Sequence, residues 1–127
     1  MTIQSDAHSI AQGLLKVRKA RHRYLPKAAI SEAGWDVLLA LFSMDNDAGS
    51  CAERRLAEIA DVSRTTTLRW VQRLDEARLV AREFSPTDKR IVRVRLTDRG
   101  RDAMERCFDA AAWPSRQPAD AREALTA

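Results

Sequence analysis

Two clusters of donor-rich side chains carry the chemistry of this sequence. The first holds Ser63, Arg64, Thr65, Thr66, Arg69 and Arg73; the second holds Asp88, Lys89, Arg90 and Arg93. A guanidinium presents its N–H groups as a rigid fork that matches phosphate oxygens or the edge of guanine. Threonine offers a hydroxyl to a phosphate or its methyl to thymine. This is the chemistry of recognition, not of bond making. His8 and His22 stand outside both clusters, no His/Cys/Asp set is paired, and no glycine-rich loop is spaced to cradle phosphates. The expectation is therefore a non-enzyme with no cofactor. Asp45, Asn46 and Asp47 bring oxygens together, but the glycine and glutamate that follow miss the spacing of a calcium loop, so no metal is expected.

Periodicity shows what must position these side chains. Leu56, Ala57, Ile59 and Ala60 recur at helical spacing, Asp61 to Ser63 interrupt, and Leu68, Val71, Gln72 and Leu74 resume. The pattern predicts a short helix from Glu53 or Arg54 through Ala60, a tight turn, and a second helix with Ser63 as its N-cap. In that second helix Leu68, Val71 and Leu74, with Trp70 or Ala77, form the predicted inward stripe. Arg64, Thr65, Thr66, Arg69 and Arg73 remain exposed, as a helix entering a major groove requires. The competing reading is a solvated surface helix whose Arg69 pairs with the neighbours of Arg73, or with Asp75 and Glu76, and contacts nothing else.

After Leu79-Val80 the period changes to two. Ser85-Pro86-Thr87-Asp88 signals a turn, and Val92 and Val94 then alternate with Arg93 and Arg95, as in a half-buried strand with one cationic face. Arg90, near the tip, is placed to enter a minor groove. Asp88 would be repelled by phosphate unless it holds Arg90, caps the turn or pairs with Arg93. Helix, turn, helix and basic hairpin together give the expected fold: mainly α with a small β-hairpin wing, a winged helix-turn-helix.

The flanks read as helices. Ser5 or Asp6 caps one running from about Ala7 to Tyr24, with Ile10, Leu14, Val17 and Tyr24 as its apolar stripe and Leu15 broadening it. Its charges, Lys16, Arg18, Lys19, Arg21 and Arg23, are all positive, either as a solvated face or facing an anion. Ser31 opens a helix whose Trp35, Val37, Leu38, Leu39, Leu41 and Phe42 are the densest core signal in the chain. Thr97 caps a further helix in which Gly100 permits close approach to the body. Trp113-Pro114 ends that segment, and 121 to 127 has room for one more turn.

A chain of 127 residues with 45% hydrophobic content suits a single domain, and a formal charge of +4 leans towards a polyanionic partner. Cys51 and Cys107 are too few and too far apart for a disulfide framework. Cys107 falls on an apolar face, while Cys51, beside a loop, is the better candidate for a redox sensor. No apolar run is long enough for a membrane span, and the polar start, Met1 to His8, lacks the basic-then-apolar order of a signal peptide, so a cytoplasmic protein is expected.

The order of these motifs resembles the MarR family of bacterial transcriptional regulators from about 7 to 112. The resemblance rests on Leu56-Ala57-Glu58-Ile59-Ala60, Ser63-Arg64-Thr65-Thr66-Thr67, Val71-Gln72-Arg73-Leu74-Asp75-Glu76 and Leu79-Val80. Its most specific part is Ser85-Pro86-Thr87-Asp88-Lys89-Arg90 followed by Val94-Arg95-Leu96-Thr97-Asp98-Arg99-Gly100. It implies a homodimer joined through helices at 7–24 and 98–125, with a DNA-binding lobe at 54–97. That lobe would read double-stranded DNA at a palindromic operator, and the protein would act as a repressor. The recognition positions would be Ser63, Arg64, Thr65, Thr66 and Arg69, with Asp88 and Arg90 as the wing motif. The resemblance also implies a crevice for a small aromatic or anionic ligand, lined by Tyr24, Trp35, Leu39 and Trp70. Arg78 departs from the pattern, standing where family members commonly have glycine, and predicts local strain or a shifted helix cap. The segment after Trp113 is short for a dimerisation helix. The competing function is a winged-helix module that binds protein, with its arginines locked in internal ion pairs.

Overall fold

The computed structural model describes residues 3–27, 31–44, 50–88 and 90–111. Lys89, the 45–49 run and the segment from 112 onward, with Trp113-Pro114, lie outside them. Among the described residues five helices and three strands follow in order: α1 (Ile3–Tyr24), α2 (Glu32–Ser43), β1 (Cys51–Ala52), α3 (Glu53–Ala60), α4 (Arg64–Glu76), β2 (Val80–Phe84), β3 (Val92–Leu96) and α5 (Asp98–Ala111). The chain is mainly α-helical with a small antiparallel wing, a winged helix-turn-helix. It divides into two compact units, one of 25–104 and one of 1–24 with 105–127.

In the 25–104 unit three of the helix starts follow from a side-chain cap. Ser31 Oγ accepts the Gly34 N–H at 2.9 Å, Ser63 Oγ accepts that of Thr66 at 3.2 Å, and Thr97 Oγ1 accepts that of Gly100 at 3.0 Å. The core joins Val37, Leu38 and Leu41 of α2 to Leu56 of α3, Val71 and Leu74 of α4, and Leu79, Val80, Val94 and Leu96 at the base of the wing; all are buried. The sheet order is β1-β3-β2, antiparallel throughout, with Cys51 opposite Val94 and Arg82 opposite Val94 on the other side. β1 has only two residues, too few to leave an alternating signature in the sequence.

The ends of α3 and α4 both use left-handed residues other than glycine. Asp61 (φ 55°) ends α3, and Arg78 (φ 63°) follows α4. At each, paired backbone bonds satisfy the last carbonyls: Val62 to Ala57 at 3.1 Å and Asp61 to Glu58 at 3.2 Å, then Leu79 to Leu74 and Arg78 to Asp75, both at 2.9 Å. The strain expected at Arg78 is thus a left-handed cap of ordinary pattern carried by the wrong residue type.

Three packing expectations are corrected. Leu68 is 45% exposed, whereas Thr67 is fully buried, so the inward stripe of α4 is Thr67, Val71 and Leu74 with Trp70 half-buried. About a hundred degrees per residue puts 67, 71 and 74 on one arc and leaves 68 on the far edge, a distinction that hydrophobicity alone misassigns. On α1 the buried face is Gly13, Val17, Ala20 and Arg21, while Ile10, Leu14 and Leu15 are exposed at 46%, 54% and 58%. Arg21, read as solvated or facing an anion, is buried instead.

Candidate nucleic-acid interface

α4 projects its polar side from a firmly held base. Its buried arc leaves Ser63, Arg64, Thr65, Leu68, Arg69, Gln72 and Arg73 exposed, with Thr66 half-buried. Leu68 is a surface position that hydropathy does not pick out, and Gln72, which the periodicity groups with Val71 and Leu74, is exposed as well. Helical geometry applied to a buried Thr67 would have found them, but a threonine gives no hydropathic sign of burial. The side chains of Arg64 and Arg69 make no hydrogen bond or ion pair among the described residues. Of the acids expected to capture Arg69, Asp75 is engaged elsewhere: its Oδ2 takes Arg82 Nε at 3.1 Å. Arg73 lies over the Trp70 ring at 4.8 Å from its centroid, a cation–π contact that steadies its stem.

The wing tip is built by Ser85, whose Oγ accepts the Thr87 and Asp88 N–H groups at 3.3 and 3.2 Å, while Ile91 N–H closes on the Asp88 carbonyl at 3.0 Å. Asp88 then grips Arg90 in a fork: Oδ1 accepts both the backbone N–H and Nε–H at 3.0 Å, and Oδ2 accepts from Nη2 at 3.1 Å. Hydrogen bonding to Arg90 holds the Asp88 carboxyl below its usual range and raises the guanidinium pKa in turn. The Arg90 side chain is nevertheless 90% exposed and leaves Nη1 outside this fork. Of the roles open to Asp88, the structure shows it holding Arg90, not Arg93.

Arg93 points elsewhere. Its Nε donates to Ser50 Oγ at 2.9 Å and its Nη2 to the Ser50 carbonyl at 3.1 Å, tying β3 to the chain entering β1. Arg95 donates to Glu83 at 2.7 Å across the hairpin. The wing cations thus fall into two groups. Arg82, Arg93 and Arg95 brace the hairpin, and Arg90 is presented at its tip. Lys89 lies outside the described residues.

A cleft of about 270 Å³ lies between the start of α3, the start of α4 and the wing, and Arg64 and Arg90 both line it. Trp35 is buried, Leu39 and Trp70 are half-buried, and a cavity of about 530 Å³ at Tyr24 is lined by α1 residues and Ala110 alone, including Lys16, Lys19 and Arg23. Burial raises the thiol pKa of Cys51, and that of Cys107 to about 11. Cys51 is buried in β1, so the thiol read as the better sensor candidate is not accessible. No metal-holding group of His, Cys, Asp and Glu occurs among the described residues, and no described helix is long and apolar enough to cross a membrane.

No curated protein sequence matches the chain. Its fold is that of several solved proteins. BpsR of Bordetella bronchiseptica, whose DNA binding is regulated by 6-hydroxynicotinic acid, is 21% identical, with 96% of this chain and 97% of that one covered at a TM-score of 0.59. RV1404 of Mycobacterium tuberculosis is 25% identical over 98% of this chain and 79% of that one, with a TM-score of 0.63. Reduced AbfR bound to DNA is 22% identical over 98% and 86%, with a TM-score of 0.60. The model of the winged helix DNA-binding domain matches residues 36–100, just over half of the 127, taking in α4 and the wing. The chain belongs to the winged helix DNA-binding domain family.

Proposed function

We propose that this protein is a transcriptional regulator of the MarR type, a homodimer that binds double-stranded DNA at a palindromic operator and acts as a repressor. The observation that carries the reading is the division of the arginines. Arg64 and Arg69 stand exposed on α4 with no ion pair among the described residues, and Arg90 is held upright at the wing tip, while Arg82, Arg93 and Arg95 are engaged within the fold. A protein-binding module with a solvated cationic face gives no reason for that division.

In this reading Arg69 and Thr65, with Gln72 and Leu68 beside them, face base edges in the major groove, and Ser63, Arg64, Thr66 and Arg73 meet the flanking backbone. Arg90 enters the minor groove, and Asp88 fixes its orientation. Dimerisation would use the helices at 7–24 and 98–125. Its support is the exposed row Ile10, Leu14 and Leu15, each worth about 1 kcal/mol if a partner withdraws its remaining surface from water. Ligand control is supported by the cationic cavity beside Tyr24 and by the aromatic acid that regulates BpsR, a chemistry suited to lysine and arginine around an aromatic ring. The cellular place proposed is the cytoplasm, where the operator is.

Selection from a random duplex library at near-physiological salt tests the reading, followed by titration of the recovered duplex against a scrambled one. An inverted repeat with half-sites about one helical turn apart is the expected result. Failure to enrich any sequence would remove the base-reading assignments and favour the protein-binding module. Sedimentation tests the dimer separately, and a concentration-independent monomer contradicts it.

A further inference from the structure

Arg54 stands outside both the recognition helix and the wing, yet it lines the cleft between them together with Arg64 and Arg90. We infer that Arg54 and Arg64 hold one backbone phosphate of the bound duplex in this cleft, with Arg90 closing it at the minor-groove side, so that α3 supplies a third contact. The inference rests on the DNA-binding reading and adds to it a binding site and a positioning residue.

The geometry follows from what lies on either side. With α4 in a major groove and the wing tip in the adjacent minor groove, one sugar-phosphate strand must cross the gap between them. That gap is the cleft. Arg54 sits in the first turn of α3, whose Leu56 and Ala57 face the core, which turns Arg54 outward; it is exposed and makes no ion pair among the described residues. Arg54 and Arg64 also share the lining of a second cavity, of about 410 Å³, at the α3–α4 turn.

Charge and polarity fit a phosphodiester. The cleft lining holds three arginines and one acid, Glu53; Arg90 is already paired with Asp88, so Arg54 and Arg64 supply the uncompensated charge, and Ile91 and Val92 add an apolar wall that strengthens the attraction. Glu53 is half-buried; burial raises its pKa, against the lowering fields of Arg82 and Arg64. A phosphate in the cleft is therefore attracted by the arginines and opposed by Glu53, and the two effects can be tested with opposite signs.

The test uses the full chain, the selected duplex and its scrambled counterpart, both fluorescein-labelled, titrated by anisotropy at several salt concentrations. Arg54→Gln should weaken binding about five- to tenfold on both duplexes alike and lower the slope of log K against log salt by about 1.8, the value for two lost phosphate contacts, one from each protomer of the dimer. Glu53→Gln should tighten both several-fold, a gain that misfolding cannot imitate. Unchanged affinity and slope in Arg54→Gln overturn the inference, as does a loss confined to the selected duplex, which would make Arg54 a base reader. No tightening in Glu53→Gln also counts against a phosphate in this cleft. If the unaltered protein binds neither duplex, the DNA-binding reading falls and this inference falls with it; if it binds and Arg54→Gln does not matter, only the inference falls.

Discussion

Thr97 and Gly100 close the junction where the end of α4, the wing and the start of α5 meet. The Thr97 hydroxyl donates to the Arg78 carbonyl at 2.6 Å and accepts the Gly100 N–H at 3.0 Å, while the Thr97 N–H binds the Leu79 carbonyl at 3.1 Å. A Cβ at Gly100 would run into that same Leu79 carbonyl and lie 2.9 Å from its carbon. The Leu-Thr-x-x-Gly motif is thus a packing device: it seats the first turn of α5 on the left-handed turn that ends α4.

Two substitutions at this junction should move stability in opposite directions. Gly100→Ala puts a methyl against backbone that cannot yield and should cost about 2–3 kcal/mol. Arg78→Gly relieves a side chain held at φ 63° and should stabilise by about 0.5–1 kcal/mol, since the gain at a left-handed position exceeds the added freedom of the unfolded chain. Thermal unfolding of both variants checks the pair, and a stabilised Gly100→Ala would refute this account of the junction.

On α4, burial and hydropathy disagree, and stability decides between them. Leu68→Ala should change stability by less than about 0.5 kcal/mol, whereas Leu74→Ala should cost about 2–5 kcal/mol. Thr67 Oγ1 is buried with no hydrogen-bond partner among the described residues, so Thr67→Val, which keeps the shape and removes the orphan hydroxyl, should be neutral or stabilise by about 1 kcal/mol. Denaturant titration gives all three values.

Asp88 is a carboxylate standing next to where a phosphate would approach, and its effect is separable from its charge. Asp88→Asn removes a repelling charge but loosens the fork on Arg90. Orientation should dominate on a specific site, so affinity for the selected duplex falls about tenfold while that for a scrambled duplex holds or rises. The folded-state pKa of Asp88 lies below its unfolded value because Arg90 favours the charged form. The stabilisation from the pair is therefore present above about pH 4 and lost as pH falls through the folded value. A carboxyl titration followed by NMR should show that midpoint displaced downward, and its return to the ordinary range in Arg90→Ala.

Neither thiol should behave as a sensor. With its pKa near 11, Cys107 has only about one thiolate in a few thousand at pH 7.5, and Cys51 is buried with its pKa also raised. A colorimetric thiol reagent at that pH should label the native protein at least about a hundredfold more slowly than the urea-unfolded chain. Rapid labelling of Cys51 in the folded state would reverse this assignment.

What was legible in the sequence was local. Ser31, Ser63 and Thr97 announce helix starts because a hydroxyl at that position has one dominant use, and the alternation around Val92 and Val94 announces a strand because a half-buried strand has period two. The acid-arginine pair at the wing tip could be expected from Asp88 and Arg90 alone, since two residues apart in a turn they reach each other whatever surrounds them.

Tertiary structure decided everything that depends on which side of an element meets the body. It buried Thr67 and exposed Leu68, buried Arg21 and left Leu14 in water, and sent Arg93 to Ser50, a residue 43 positions away. It also brought Arg54 to the edge of the cleft shared by Arg64 and Arg90, a proximity no spacing along the chain encodes. Caps and periods are set by neighbours within a few residues and so can be read from them. The facing of a helix and the partner of a long cation are set by packing between distant segments, and that information exists only once the chain has folded.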